Sequence, residues 1–137
     1  MKIFLTGYTG FLGSSIFEKI SPKHKITKIN LRNINFNNSQ ELKELLEKFD
    51  QADVIINCAA SLKPNNSNDF FLNEELPEKL SSSFESKNKK VIFIHMSSIN
   101  VLIKDREDIY TKTKRLAEKN LKNSKAIILR LPLLYKE

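Results

Sequence analysis

Thr6–Gly13, TGYTGFLG, holds all three glycines of the 137-residue chain, spaced three apart at Gly7, Gly10 and Gly13. It follows the apolar run KIFLT (residues 2–6) and precedes FLGSSIFEKI, whose apolar residues recur at helical spacing. The stretch therefore reads as the turn between a first strand and a helix over 11–20. There the chain must bend sharply, the helix must pack close on the strand, and main-chain N–H groups at the helix start face outward at the positive end of its dipole. Side chains obstruct each of these, and a pyrophosphate is the anion that such a turn suits. A turn serving chain geometry alone is the alternative.

Outward from the turn, Pro22 should end the first helix, and KITKINL (25–31) alternates apolar and polar residues like a half-buried strand. Ile34–Phe36 offers at most a short extended piece. Ser39 is placed to cap a helix through ELKELLEKF, with Leu42, Leu45 and Leu46 on one face. ADVIINCAA (52–60) reads as a strand buried on both sides, SLKPNNSNDF as a loop, and FLNEELPEKLSSSFES as one helix with Pro77 near its first turns. KVIFIHMSS is a further buried strand, YTKTKRLAEKNLK a charged amphipathic helix and AIILRLPLL a final strand. Strands alternating with helices predict an α/β fold: a Rossmann-type, doubly wound parallel sheet with helices on both faces and strand order 3-2-1-4-5-6. Neither a repeat nor an interdomain linker interrupts it, so residues 1–137 are expected to form one domain.

Composition sets the remaining bounds. Hydrophobic residues at 40% and charged residues at 28% fall in the ordinary globular range. Apolar runs such as IILRLPLL fall well short of the ~20 residues a membrane span needs. MKIFLTG lacks the apolar core and cleavage site of a signal peptide, so a cytoplasmic protein is expected. The one cysteine, Cys58, lies in an apolar segment where a buried, inert thiol is usual. The net charge of +7 is dispersed over several helices without interleaved aromatics, so nucleic acid is not the expected partner. No metal site is assigned.

Two groups of residues carry candidate chemistry. At the end of the second strand, where many NAD-binding domains place an acid for the ribose hydroxyls, stand Asn30, Leu31 and Arg32. With no carboxylate to repel a 2′-phosphate and a guanidinium to pair with it, NADP is favoured over NAD. An exposed loop arginine is the alternative. Tyr110 and Lys114 are four apart, so on a helix both project from one face, where an ammonium lowers the phenol pKa and readies it for proton transfer. Ser97 or Ser98, at the carboxyl edge of its strand, is placed to orient the reacting oxygen toward Tyr110; capping the strand-end loop is its alternative role.

Four landmarks in order, TGYTGFLG, DVIINCAA, HMSSINV and YTKTKRLAEK, resemble the extended short-chain dehydrogenase/reductase family, also called the NAD-dependent epimerase/dehydratase family, across almost the whole chain. The resemblance implies Tyr110 as acid/base, Lys114 as its pKa-lowering, ribose-binding partner, and Ser98 as substrate-oxygen ligand, with Ser97 the alternative. It implies a dinucleotide along Gly7, Thr9, Gly10, Phe11, Leu12 and Gly13, with Asn30 and Arg32 at the ribose, Asn35 and Phe36 beside adenine, and Ala59 and Ala60 along the cofactor. Asn73 matches the family's helix asparagine, and Arg130, Pro132 and Leu133 mark the entry to the substrate region. The implied activity is NAD(P)-dependent oxidation, reduction, epimerisation or dehydration of a nucleotide-activated sugar, by family analogy in surface-polysaccharide synthesis, in a homodimer paired through the helices bearing Asn73 and Tyr110. Family members continue into a sugar-nucleotide-binding region that the sequence to Glu137 does not include, and its segment between Ser98 and Tyr110 is short. A non-catalytic NAD(P)-binding module, or a fragment needing another chain to bind substrate, is therefore the second reading.

Overall fold

A computed structural model describes residues 1–132; Leu133 lies outside them. Five parallel strands form one sheet: β1 (Ile3–Thr6), β2 (Ile26–Ile29), β3 (Val54–Asn57), β4 (Ile92–Ser98) and β5 (Ile127–Leu131), in the order β2-β1-β3-β4-β5. The helices are α1 (Phe11–Ile20), α2 (Ser39–Lys48), α3 (Ser67–Glu74), α4 (Leu76–Ser86) and α5 (Ile109–Asn120). This is the expected Rossmann-type α/β architecture.

Alternation along the strands sorts the core into two layers. Ile3, Leu5, Val54 and Ile56 face α1 through Ile16, Phe17 and Ile20. Phe4, Ile55 and Phe93 face the opposite side, packed against Leu45 of α2, Leu76, Leu80 and Phe84 of α4, and Leu121 just after α5. The chain leaves β1 toward β2 and leaves β3 toward β4, so its winding reverses between the adjacent strands β1 and β3. In such sheets the crevice for a ligand opens at the carboxyl ends of those two strands.

Several local expectations need correction. The third strand of the six-strand order is missing among the described residues. Ile34–Phe36 is not a strand, because the Asn68 amide takes the bonds a neighbouring strand would take: its Nδ2 donates to Ile34 O and its Oδ1 accepts from Phe36 N, both at 2.8 Å. Asn38, not Ser39, caps α2, its Oδ1 accepting from the amides of Gln40 and Glu41. The single helix expected over 71–86 is two, broken at Glu75, with Pro77 in the first turn of α4, where its missing N–H costs nothing. Among the described residues, no helix is long and apolar enough to cross a membrane.

The three glycines differ in what they serve. Gly7 has φ +68, the left-handed region, and a β-carbon there would come within 2.6 Å of Ala59 N. A β-carbon on Gly13 would run into the Gly7 carbonyl. At Gly10 it would meet only Gly7 O at an ordinary 3.5 Å. Gly13→Ala is accordingly expected to lower stability by about 3 kcal/mol through overpacking against rigid backbone. Gly10→Ala should cost about 1 kcal/mol or less, as a change at a helix N-cap. Urea unfolding of the two variants checks the contrast.

Candidate functional site

The glycine turn, the end of β3 and the end of β4 meet at the carboxyl edge of the sheet and enclose two adjoining clefts. The first, about 380 Å³, is lined by Gly7, Thr9, Gly10, Asn30, Arg32, Phe36, Ala59 and Ala60 among others. The second, about 430 Å³, runs from Gly10, Phe11, Leu12 and Gly13 past Cys58 and Ala60 to Ser97, Ser98, Tyr110 and Lys114. Gly7, Gly10, Cys58 and Ala60 border both. A larger cavity of about 910 Å³ opens at the opposite edge of the sheet, around Phe84, Val91 and Ala126. It holds none of the residues singled out from the sequence, and its distance from the winding reversal leaves the two smaller clefts as the candidate site.

In the first cleft, the Asn30 side chain is committed to its own turn, Oδ1 accepting from Arg32 N at 3.0 Å. The Arg32 guanidinium reaches across to donate to Thr9 Oγ1 at 3.2 Å and remains exposed. Phe36 is buried and stacked on Phe71, ring centroids 5.1 Å apart, so it forms part of the cleft floor. Asn35 is not among the residues lining this cleft; its Oδ1 accepts from Asn37 N in a turn that directs it to the neighbouring surface. Ala59 is core, its amide donating to Thr6 Oγ1 at 3.3 Å, whereas Ala60 borders open space.

At the second cleft, α1 begins at Gly10 with no capping side chain and no acid in its first turn, which leaves the positive end of its dipole uncompensated. Across from it, Asp108 caps α5 by accepting from Thr111 N at 3.0 Å, which sets the first turn that carries Tyr110. The Arg106 partner and the Thr111 amide hold the Asp108 carboxyl down at about 2. Lys114 is only 3% exposed; its Nζ donates to Met96 O at 2.9 Å and lies 5.7 Å from the Tyr110 ring centroid. Burial pulls this ammonium down to about 8, against the attraction of Cys58 and Glu118. Of those two, Glu118 is the one that carries charge near neutrality, since burial holds the Cys58 thiol up at about 11.

Tyr110 does not show the lowered pKa expected from its spacing to Lys114. Burial raises it, and the Asp108 carboxylate adds to the rise. In this geometry the ammonium is bonded to the Met96 carbonyl, and among the described residues no hydrogen bond joins it to the phenol oxygen.

The two serines separate clearly. Ser97 is buried and donates to Glu118 Oε2 at 2.6 Å, while Ser98 Oγ accepts from Asn100 N at 3.2 Å and keeps its own proton available. Asn73 is buried away from the clefts. It brackets Ser61 through N–H and carbonyl at 2.7 and 2.8 Å and donates to Thr113 Oγ1 at 3.1 Å, fixing the loop after β3 to α5. Arg130 lies on β5, paired with Glu118 at 2.6 Å, and Pro132 borders the second cleft. Sequence reasoning missed Glu118, although its place four residues beyond Lys114 marked it, and missed Cys58 as a wall shared by both clefts.

Beneath the site lies a buried polar row. Thr6 Oγ1 donates to Asn57 Oδ1 at 2.6 Å, and Asn57 Nδ2 lies 3.1 Å from His95 Nδ1, across three neighbouring strands in register. His95 Nε2 has no partner, and burial, then the Lys114 charge, pushes the imidazole down to about 3.

These features define a dinucleotide-type α/β domain with a bare, helix-capped turn beside a Ser, Tyr and Lys cluster. A family model described as the RmlD substrate binding domain matches residues 1–137, so the chain belongs to that family. The fold is similar to dTDP-4-dehydrorhamnose reductase from Clostridium acetobutylicum (TM-score 0.74, 21% identity, 95% of this chain and 52% of that one). It is also similar to the Bacillus anthracis dTDP-4-dehydrorhamnose reductase in complex with NADP (0.73, 21%, 98% and 54%). A third similar structure is the Bordetella bronchiseptica enzyme WbmG in complex with NAD (0.72, 18%, 95% and 52%). The chain thus spans about half the length of these structures. No curated protein matches its sequence.

The folded His95 pKa lies far below its ordinary 6.5, so as pH falls through 6.5 the unfolded chain gains a proton that the folded chain refuses. Stability is intact above 6.5 and is expected to fall by about 2 kcal/mol by about pH 5, before most carboxylates titrate. Chemical denaturation across that window checks this, with His95→Asn expected to flatten the slope.

Proposed function

We propose that the chain forms the dinucleotide-binding part of an NAD(P)-dependent enzyme acting on a nucleotide-activated sugar. The observation that carries this reading is Gly10. The protein's own packing leaves room for a β-carbon there, yet the position is bare and borders both clefts. Gly7 and Gly13 are explained by the fold; Gly10 is explained by a ligand that lies against it, and a pyrophosphate suits the uncapped helix start.

On this reading the adenosine end lies in the cleft floored by Phe36, with Arg32 free to pair with a 2′-phosphate, and the nicotinamide end lies toward Tyr110. When bound, the dinucleotide supplies hydride exchange with a sugar carbon. The chain's part is proton control and position. Ser98 donates its free hydroxyl proton to the sugar oxygen, Tyr110 gives or takes the proton of that same oxygen, and Lys114 brings the only charged side chain of the second cleft among the described residues. The raised Tyr110 pKa favours the phenol as proton donor, which fits reduction of a carbonyl, the reaction class of the dTDP-4-dehydrorhamnose reductases whose fold is similar.

One observation favours a reading in which further polypeptide is needed to enclose the sugar. Ile92, Ile127 and Leu129 are 50%, 48% and 41% exposed at β4 and β5, on the same sheet face that α1 covers at β1 and β3. On that reading the chain binds dinucleotide and turns nothing over. Pairing of two chains through α3 and α5 belongs to the same proposal, and sedimentation equilibrium showing a single-chain mass at high concentration would remove it.

Calorimetric titration should show NADPH binding more tightly than NADH, with Arg32→Gln reducing that preference about tenfold, the size of one charge-assisted contact. Gly10→Val should abolish binding of both while leaving the unfolding transition cooperative. No heat with either dinucleotide would end the proposal. If dTDP-4-dehydrorhamnose or another nucleotide sugar is reduced, Tyr110→Phe and Ser98→Ala should each lower kcat at least about 100-fold.

A further inference from the structure

Lys114 and Glu118 are one turn apart on α5 and take hold of adjacent residues of β4. Lys114 Nζ donates to the carbonyl of Met96 at 2.9 Å, and Glu118 accepts the hydroxyl of Ser97 at 2.6 Å. The next residue is Ser98. Glu118 is held in turn from β5, where Arg130 donates through Nε and Nη2 to Oε1 at 3.0 and 2.6 Å. A carboxylate with a bidentate guanidinium on one side and a short hydroxyl bond on the other has little freedom to move.

We propose that Glu118 is a positioning residue of this site: backed by Arg130, it engages Ser97 and pins the end of β4 to α5, so that Ser98 presents the free hydroxyl beside Tyr110. This rests on the function proposed above for the roles of Ser98 and Tyr110. The same carboxylate is the anionic neighbour of Lys114. The other groups facing that ammonium are Tyr110 on its own helix, Cys58 from the end of β3 and His95 from β4, and near neutrality these are an un-ionised phenol, thiol and imidazole. Glu118 is therefore the carboxylate that favours the charged form of a nearly buried lysine, and a purely mechanical brace would not do so.

The test follows the Lys114 side chain by NMR in the full chain carrying lysine labelled with carbon-13 at Cε, its resonance assigned with Lys114→Arg. Glu118→Gln, which preserves shape and removes charge, should move the Lys114 titration midpoint down by about one pH unit, the scale of one nearby opposite charge. Glu118→Asp should recover part of that shift. A folded Glu118→Gln protein whose Lys114 midpoint is unmoved overturns the proposal. Should Glu118→Gln not fold, Glu118→Asp decides the matter: with the carboxylate retained but drawn back, the midpoint should fall measurably and by less than about one pH unit, and a midpoint that stays at the native value overturns the proposal. This readout requires no dinucleotide and no sugar, so its failure is distinguishable from a failure to bind NADPH.

Discussion

Gly7 lies against the main chain of Cys58 and Ala59, and the whole carboxyl edge is arranged around that contact. The approach is possible only without a β-carbon, and the positive φ that turns the chain out of β1 is one that other residues adopt at a cost of roughly 1–2 kcal/mol. Directly below, Thr6 donates to Asn57 and accepts from Ala59 N, so the same two strand ends are also joined by buried polar bonds. Buried bonds of this kind are costly to leave half made, which fixes the separation of β1 and β3 where the winding reverses. The two clefts are the space left on either side of this junction.

What fills that space electrostatically is simple. Among the described residues, the second cleft has no acidic side chain in its lining; its positive field comes from the start of α1 and from Lys114. The first has Asp69, but that carboxylate accepts from Asn65 N and belongs to the loop that opens α3. An anionic ligand is therefore met by main-chain dipoles, by Arg32 in the first cleft and by Lys114 in the second. The surplus of basic residues elsewhere in the chain contributes only a diffuse attraction, screened over about 8–10 Å at ordinary salt.

Much of this was legible in the sequence because it depends on residues adjacent in the chain. The glycine spacing marks the turn, and the apolar runs mark four of the five strands outright. Tyr110 and Lys114 share a helix face by spacing alone. Long-range contacts were not legible. Nothing local to Ile34–Phe36 says that Asn68, thirty-two residues beyond Phe36, replaces a strand there, or that Asn73 is spent on Ser61 and Thr113. The choice between Ser97 and Ser98 was equally out of reach, since it turns on Glu118 and Arg130 from two other elements. The sign of the Tyr110 shift was missed because spacing gives proximity to Lys114 but not burial, nor the fact that the ammonium is already bonded to Met96 O.

Burial of Lys114 carries a cost that shapes the site around it. A nearly buried ammonium with one carbonyl bond is under-solvated, and its depressed pKa measures that deficit. The fold reduces the deficit with groups on three sides: the Met96 carbonyl, the Glu118 carboxylate, and an un-ionised His95 that adds no opposing charge. Had His95 an ordinary pKa, its protonation in mildly acidic conditions would place a second cation beside the first. The Thr6–Asn57–His95 row therefore does more than join strands. By keeping the imidazole dry and neutral, it leaves Lys114 as the single positive charge, among the described residues, at the face where Tyr110 and Ser98 emerge.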